Sequence, residues 1–270
     1  MPKRGGTAKI RSMEPERTAV QLGGNEIEIN RYRETVADRP TIVLLHEGLG
    51  SVSTWRDFPA ALAARTGAEV TVYSRYGYGR STVRREPFAV DYLHKAAREE
   101  LPALLDVLGI ERPLLVGHSD GASIALIFAG LHPDRVQGLV LEAAHVFTEA
   151  FCVASIGEIQ RMFEASDDLR DRLARHHADP EASFRGWNDV WQLPAFLDWN
   201  IEEYLPAIRC PALVIQGADD EYGTLEQVAR IERGSDGPVE RLILDNCGHA
   251  PHRDRRDSVL SAMARFVERL

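Results

Sequence analysis

The sequence predicts an α/β protein: a mostly parallel twisted sheet with helices on both faces. Two observations carry this. Short apolar runs without alternation, such as "TIVLL" at 41–45, fit strands buried on both faces. These runs also take turns with helix-period segments along most of the chain, the rhythm of βα units. At 270 residues the chain suits one large domain, or one domain carrying an insertion.

The elements follow in order. Residues 18–34 alternate polar and apolar around "GGN", a hairpin signal. After the strand at 41–45, "TWRDFPAALAART" has helical spacing and "EVTVYS" at 69–74 is a strand. Residues 91–110 predict one helix, with Asp91 as N-cap and Gly109 as the stop. "PLLVG" is a strand, "DGASIALIFAGLH" a helix, and 136–144 a strand. Residues 145–204 hold no strand candidate and carry three of the four tryptophans, so they predict an inserted helical cap. The rhythm then resumes with strand "ALVIQG", a helix over 223–233, strand "VERLIL" at 239–244 and a helix over 254–270. The expected core is therefore 18–144 with 205–270. Residues 1–17 are expected to be a flexible N-terminal segment.

Composition narrows the function. A formal net charge of −9 argues against a nucleic-acid partner. No window approaches the ~18 apolar residues of a membrane span. Three widely spaced cysteines, Cys152, Cys210 and Cys247, give neither a metal spacing nor a disulfide framework, which favours a reducing, cytoplasmic compartment. No apolar stretch follows the basic N-terminus, so it does not read as a secretory signal. No phosphate loop or metal-ligand cluster is visible, so no cofactor is expected.

The stretch "GHSDG" at 117–121 carries the chemistry. It fits G-x-S-x-G and lies between a buried-strand signal and an apolar helix, the context that motif requires. A tight strand-to-helix elbow would lift the Ser119 hydroxyl above the C-terminal edge of the sheet, where open α/β sheets bind ligands. Serine needs a base in reach, and the base needs an orienting acid. Downstream, "ALVIQGADDEYG" offers Asp219, Asp220 and Glu221 after a strand, and "LILDNCGHAPH" offers His249 after the next. All three groups fall at C-terminal strand ends, on one edge of the sheet.

With "LLHEGLGS" at 44–51, "SRYGYGRS" at 74–81, "GADD" at 217–220 and "CGHAPH" at 247–252, the chain resembles an α/β-hydrolase-fold enzyme of the esterase and lipase superfamily. The resemblance runs from about residue 19 to the end, and residues 145–204 correspond to the variable cap. It implies Ser119 as nucleophile, His249 as base and Asp220, three residues past Gly217, as acid in preference to Asp219. Glu142 ends a strand from which some relatives take their acid; here it reads as a surface or salt-bridged carboxylate. Tetrahedral intermediates need two backbone N–H donors. One is expected from Asp120 and the other from the loop "HEGLGS", where Glu47 stands in place of the family's usual glycine. Gly48 is the first candidate there and Leu49 the second.

Glu47 itself is expected to face solvent, in preference to placing its carboxylate near the site entrance. His118 is expected to pack beneath the elbow, His46 to hold its loop, and His252 to face solvent or support the loop. Arg75 and Arg80 read as structural ion pairs. His145, Trp187, Trp191, Phe196 and Trp199 are candidate pocket residues, the aromatic ones equally readable as core filling. The resemblance points to a carboxylesterase acting on small-molecule esters with small or medium apolar acyl groups, as a monomer or homodimer. The alternatives are a meta-cleavage C–C hydrolase, gripping a carboxylate with Arg161, Arg185 or His145, and a non-catalytic ligand receptor on the same scaffold.

Overall fold

Gly23 and Gly24 have φ of 57° and 85°. Two positive φ values in succession are what a two-residue hairpin turn demands, and they join β1 (Glu16–Leu22) to β2 (Asn25–Tyr32) antiparallel. This is a computed structural model, and it describes residues 13–33, 36 and 38–270. Of the expected flexible segment 1–17, residues 1–12 lie outside the described residues, while Glu16 and Arg17 already belong to β1.

The sheet continues with β3 (Ile42–Leu45), β4 (Val70–Tyr73), β5 (Leu114–His118), β6 (Gly138–Glu142), β7 (Ala212–Gly217) and β8 (Val239–Leu244). Its eight strands run in the order β1-β2-β4-β3-β5-β6-β7-β8. Every pairing from β4 to β8 is parallel, so the loops after β3, β5, β6, β7 and β8 emerge on the same edge.

The helices are α1 (Phe58–Thr66), α2 (Tyr92–Lys95), α3 (Leu101–Leu108), α4 (Asp120–Leu131), α5 (Ala150–Ala165), α6 (Asp168–Ala174), α7 (Pro180–Trp191), α8 (Leu225–Gly234), α9 (Pro251–Asp254) and α10 (Arg256–Val267); α5, α6 and α7 pack on one another, and the others flank the sheet. Strand side chains alternate between the faces. In β3, Val43 and Leu45 pack with residues of α3 and α4, while Ile42 and Leu44 pack with residues of α1 and α10. That is why β3 is apolar throughout, and each fully buried Val, Leu or Ile contributes about 1.5–3 kcal/mol.

Two expected helices are interrupted. Residues 91–110 form α2, a π turn over Ala96–Glu100, and α3. Pro102 has no N–H to complete the α-helical ladder there, and a widened turn accommodates the gap. Gly109 does end α3, with φ 67°, but Asp91 makes no side-chain cap bond. The final helix is broken at Arg255, whose φ of −131° separates α9 from α10.

The segment between β6 and β7 holds α5, α6 and α7. Its one strand-like contact is an antiparallel bridge between Phe147 and Asn200. No helix of the described residues is long and apolar enough to cross a membrane.

Candidate active site

Ser119 follows β5 with φ 54° and ψ −116°, a backbone region costly for any side-chain-bearing residue. The flanking glycines show why the turn can be made. A Cβ on Gly117 would fall 2.4 Å from the Gly121 carbonyl oxygen, and one on Gly121 would fall 2.1 Å from that of Leu45. The first neighbour is backbone of α4 and the second backbone of β3, so neither can move without disturbing that element.

The turn brings three expected residues together. Ser119 Oγ lies 3.0 Å from His249 Nε2. His249 Nδ1 lies 2.9 Å and 3.0 Å from the two Asp220 carboxylate oxygens. Asp220 also accepts from the amides of Tyr222 and Gly223 and from Gln216 Nε2. Burial raises the Asp220 carboxyl, but the His249 hydrogen bond and charge, with the Tyr222 amide, outweigh it and hold the group below its ordinary value. Asp219 is exposed and joins only through its backbone amide, donated to the Cys247 carbonyl.

Glu142 is fully buried and accepts from the amide and Nδ1 of His252, the latter at 2.7 Å. It is therefore a buried, hydrogen-bonded carboxylate, not a surface one, and it serves another histidine. His252, 6% exposed, does not face solvent; its pairing with Glu142 and its contact with Trp55 at 4.7 Å hold it inside.

The amide of Asp120 stands at the N-terminus of α4, where the helix dipole favours negative charge. Among the described residues, the amides of Asp120, Gly48 and Leu49 have no hydrogen-bond acceptor, and all three residues line the same cavity as Ser119. The Asp120 side chain turns away to a buried network. Its Oδ2 accepts from Tyr92 Oη at 2.6 Å and lies 3.4 Å from Arg75, and Tyr92 Oη accepts from Trp191 Nε1 at 2.8 Å. Arg75 is thus the expected buried ion pair. Arg80 is not: its backbone amide, rather than its guanidinium, meets the Glu28 carboxylate.

Glu47 does not face solvent; it takes the other expected position and lines the cavity. Its side chain is only 27% exposed and stands 3.5 Å from His118 Nδ1. Burial opposes its ionisation, but His118 prevails and lowers its pKa. His118, 3% exposed, lies beneath the elbow as expected. His46 holds its loop, with Nδ1 against the Glu47 carbonyl and Nε2 accepting from the Arg75 amide.

The cavity above Ser119 measures about 340 Å³, within the usual range for small-molecule sites. Of the candidate pocket residues, His145, Trp187 and Trp191 line it. Phe196 and Trp199 do not. They stack on each other with ring centroids 5.5 Å apart and are 0% and 5% exposed, so they fill core. Sequence reasoning missed Cys152, Ile156, Tyr222, Ala250, Arg253 and Asp254, which also line it, and offered Glu221 only as a possible acid. Arg161 and Arg185 are spent on carboxylates outside the cavity, Glu158 for the first and Glu164 and Glu181 for the second.

His145 is 2% exposed. Its Nε2 meets the Tyr222 carbonyl at 3.1 Å, and burial pushes its pKa down to about 4. Among the described residues, no group of three His, Cys, Asp or Glu is arranged to hold a metal ion.

Residues 40–179 match the family described as the alpha/beta hydrolase fold. The chain is 31% identical over 206 residues to a Caulobacter sp. protein provisionally named the carbamate hydrolase RutD, covering 68% of this chain and 74% of that one. It is 28% identical over 260 residues to a 2-hydroxy-6-oxononadienedioate/2-hydroxy-6-oxononatrienedioate hydrolase of Paraburkholderia phymatum, covering 84% and 86%. Among solved structures it is similar to the 2-hydroxy-6-oxo-6-phenylhexa-2,4-dienoate hydrolase of Rhodococcus sp., with TM-score 0.77 and 17% identity over 95% of this chain and 99% of that one.

Proposed function

The chain belongs to the alpha/beta-hydrolase fold family, and from that premise we propose that it is a serine hydrolase cleaving carboxylic esters of small or medium apolar acyl groups. The 3.0 Å approach of Ser119 Oγ to His249 Nε2, with Asp220 behind the imidazole, carries this reading.

In it, Ser119 Oγ attacks the ester carbonyl carbon while His249 Nε2 takes the hydroxyl proton. Asp220 keeps His249 in the tautomer with Nδ1–H and stabilises the imidazolium. The carbonyl oxygen, now negative, accepts from the Asp120 amide and from Gly48 or Leu49; losing one such donor costs about 3 kcal/mol. The intermediate collapses, the ester C–O bond breaks, and His249 returns its proton to the departing alcohol. Water then repeats the sequence on the acyl-enzyme and releases the acid. The apolar walls supplied by Leu49, Ile156, Trp187 and Trp191 suit an apolar acyl group. Three free thiols suit a reducing, cytoplasmic setting.

A screen of p-nitrophenyl esters of graded acyl length tests the reading. Turnover is expected to peak at short or medium chains and to vanish in Ser119→Ala, with a fluorophosphonate probe labelling Ser119. Undiminished turnover in Ser119→Ala overturns it, and an unreactive Ser119 favours a receptor.

The relative from P. phymatum, and Arg253 in the cavity wall, favour a second reading, C–C hydrolysis of a ring-fission dienone. Arg253 would then grip the substrate carboxylate, because His145, with Nε2 on the Tyr222 carbonyl and its pKa lowered to about 4, has no proton to offer it. Fast turnover of such a dienone with negligible ester activity selects it.

A further inference from the structure

Behind the proposed base lies an imidazole that no step above uses. His118 immediately precedes Ser119. Its Nε2 lies 2.6 Å from the His249 carbonyl oxygen, so Nε2 donates. Its other nitrogen lies 3.5 Å from Glu47 Oε2, on the loop expected to complete the oxyanion site. One ring therefore touches the strand end that carries the nucleophile, the loop that carries the oxyanion donors and the main chain of the base.

We infer that Glu47 and His118 form a positioning ion pair that fixes His249 against Ser119 and ties the oxyanion loop to both. The inference rests on the serine-hydrolase reading only for what His249 does, since the pair is defined by geometry alone.

Three features support it. First, with Nε2–H donated to a carbonyl, a neutral His118 would present the Nδ1 lone pair to the Glu47 carboxylate. Two electron-rich groups would then face each other across 3.5 Å, so the approach is favourable only with the imidazolium, whose buried Nδ1–H has no hydrogen-bond partner and has Glu47 as its carboxylate neighbour. Second, burial disfavours that cation, yet Glu47 foremost, then Glu142 and the His249 carbonyl, raise the His118 pKa above its ordinary value. Third, the surroundings lock the ring. Trp55 lies against it at 6.3 Å, His252 at 5.0 Å and His249 at 5.2 Å between ring centroids. The charged or titratable groups facing His118 are thus Glu47 after β3, Glu142 at the end of β6, and His249 and His252 after β8. A glycine in place of Glu47 would leave the imidazolium with no carboxylate on the oxyanion loop.

The pair has a defined pH window. The His118 pKa is raised on folding, so the pair's contribution is fully present below the ordinary histidine value and is lost as pH rises through the raised one. The alkaline limb of activity should follow His118.

Glu47→Gln tests this, because it removes the charge and keeps the shape. The expected result has three parts. The His118 titration, followed by NMR of its imidazole nitrogens, moves to lower pH by one unit or more. The alkaline limb of kcat/KM moves with it. At neutral pH, kcat and the rate of fluorophosphonate labelling of Ser119 fall about tenfold while KM changes less than twofold. His118→Gln, which retains an N–H donor for the His249 carbonyl, should regain part of the rate lost in His118→Leu. The double variant Glu47→Gln/His118→Leu should be no slower than His118→Leu alone.

An unmoved His118 titration in Glu47→Gln overturns the pair. A moved titration with an unchanged labelling rate and alkaline limb overturns its positioning role. Wild-type protein that the probe fails to label defeats the serine-hydrolase reading instead, while the NMR titration still decides whether the pair exists. Thermal unfolding of each variant identifies losses that come from misfolding.

Discussion

The indole of Trp187 rests on Gly48. A Cβ built on that glycine would lie 2.0 Å from the indole Nε1 and 2.4 Å from Cδ1. A side chain of α7 thus presses on the loop expected to supply an oxyanion donor, and only glycine permits the contact. Gly48→Ala must displace either the ring or the loop. The expected outcome is at least a tenfold loss of kcat/KM, about 1.4 kcal/mol, with helix and sheet content retained. Steady-state kinetics with circular dichroism checks the split, and a changed tryptophan emission spectrum locates the shift at Trp187.

Asp220→Asn keeps the shape and removes the charge that orients His249. It should lower kcat by about 10⁴-fold, the size seen when a triad carboxylate becomes an amide, with KM little changed. Its effect on stability has a sign. The Asp220 carboxyl is held below its ordinary value, so it contributes stability above the unfolded pKa, and that contribution is lost as pH falls through the lower folded value. Urea unfolding of both proteins should therefore show a deficit for Asp220→Asn at pH 7 that shrinks towards pH 2.

His145 acts in the same direction, at milder acidity. Folding holds it at about 4 against about 6.5 in the unfolded chain. Unfolded protein binds the proton first as pH falls, so stability should drop between about pH 6.5 and 4, by up to about 3 kcal/mol. His145→Gln should flatten that part of the stability profile relative to wild type. A slope unchanged by the substitution would count against a neutral His145.

Tyr92→Phe removes one hydroxyl that serves two partners. Trp191 Nε1 loses its acceptor and Asp120 Oδ2 its short donor, while Asp120 Oδ1 already lacks a partner. Asp120 Oδ2 keeps Arg75 at 3.4 Å, but the unpaired Trp191 N–H costs about 1–3 kcal/mol, so a fall of several degrees in Tm is expected. Activity should fall as well, because Asp120 adjoins the nucleophile. Calorimetry and kinetics on one preparation test both.

The residues that were legible in the sequence are those whose roles are fixed by strand ends. Ser119, Asp220 and His249 each follow a readable strand, and parallel topology sends such ends to one edge. Gly117 and Gly121 were legible for a local reason, the closeness of the elbow. The cavity walls were not. Trp187, Trp191 and Trp199 share helical and loop sequence with no mark of which face meets the cavity, and tertiary packing sends only the first two there. Glu47 and His252 escaped because their partners, His118 and Glu142, lie 71 and 110 positions away. Tyr222 could have been found, since it follows the acid by two residues. The breaks in the helices at 96–100 and 255 show the limit of periodicity, although Pro102 was a visible warning of the first.

The bridge between Phe147 and Asn200 has a consequence for how such chains diversify. Thr148 donates to the Trp199 carbonyl, and Ile201 to that of Val146, so the excursion leaves and re-enters the sheet at a single stitched neck. Whatever is threaded between the two sides of that neck can lengthen, shorten or be swapped without re-registering β6 against β7. A graft cut at this seam should keep the reactive trio while exchanging the roof over it, giving new substrate preferences on an unaltered engine.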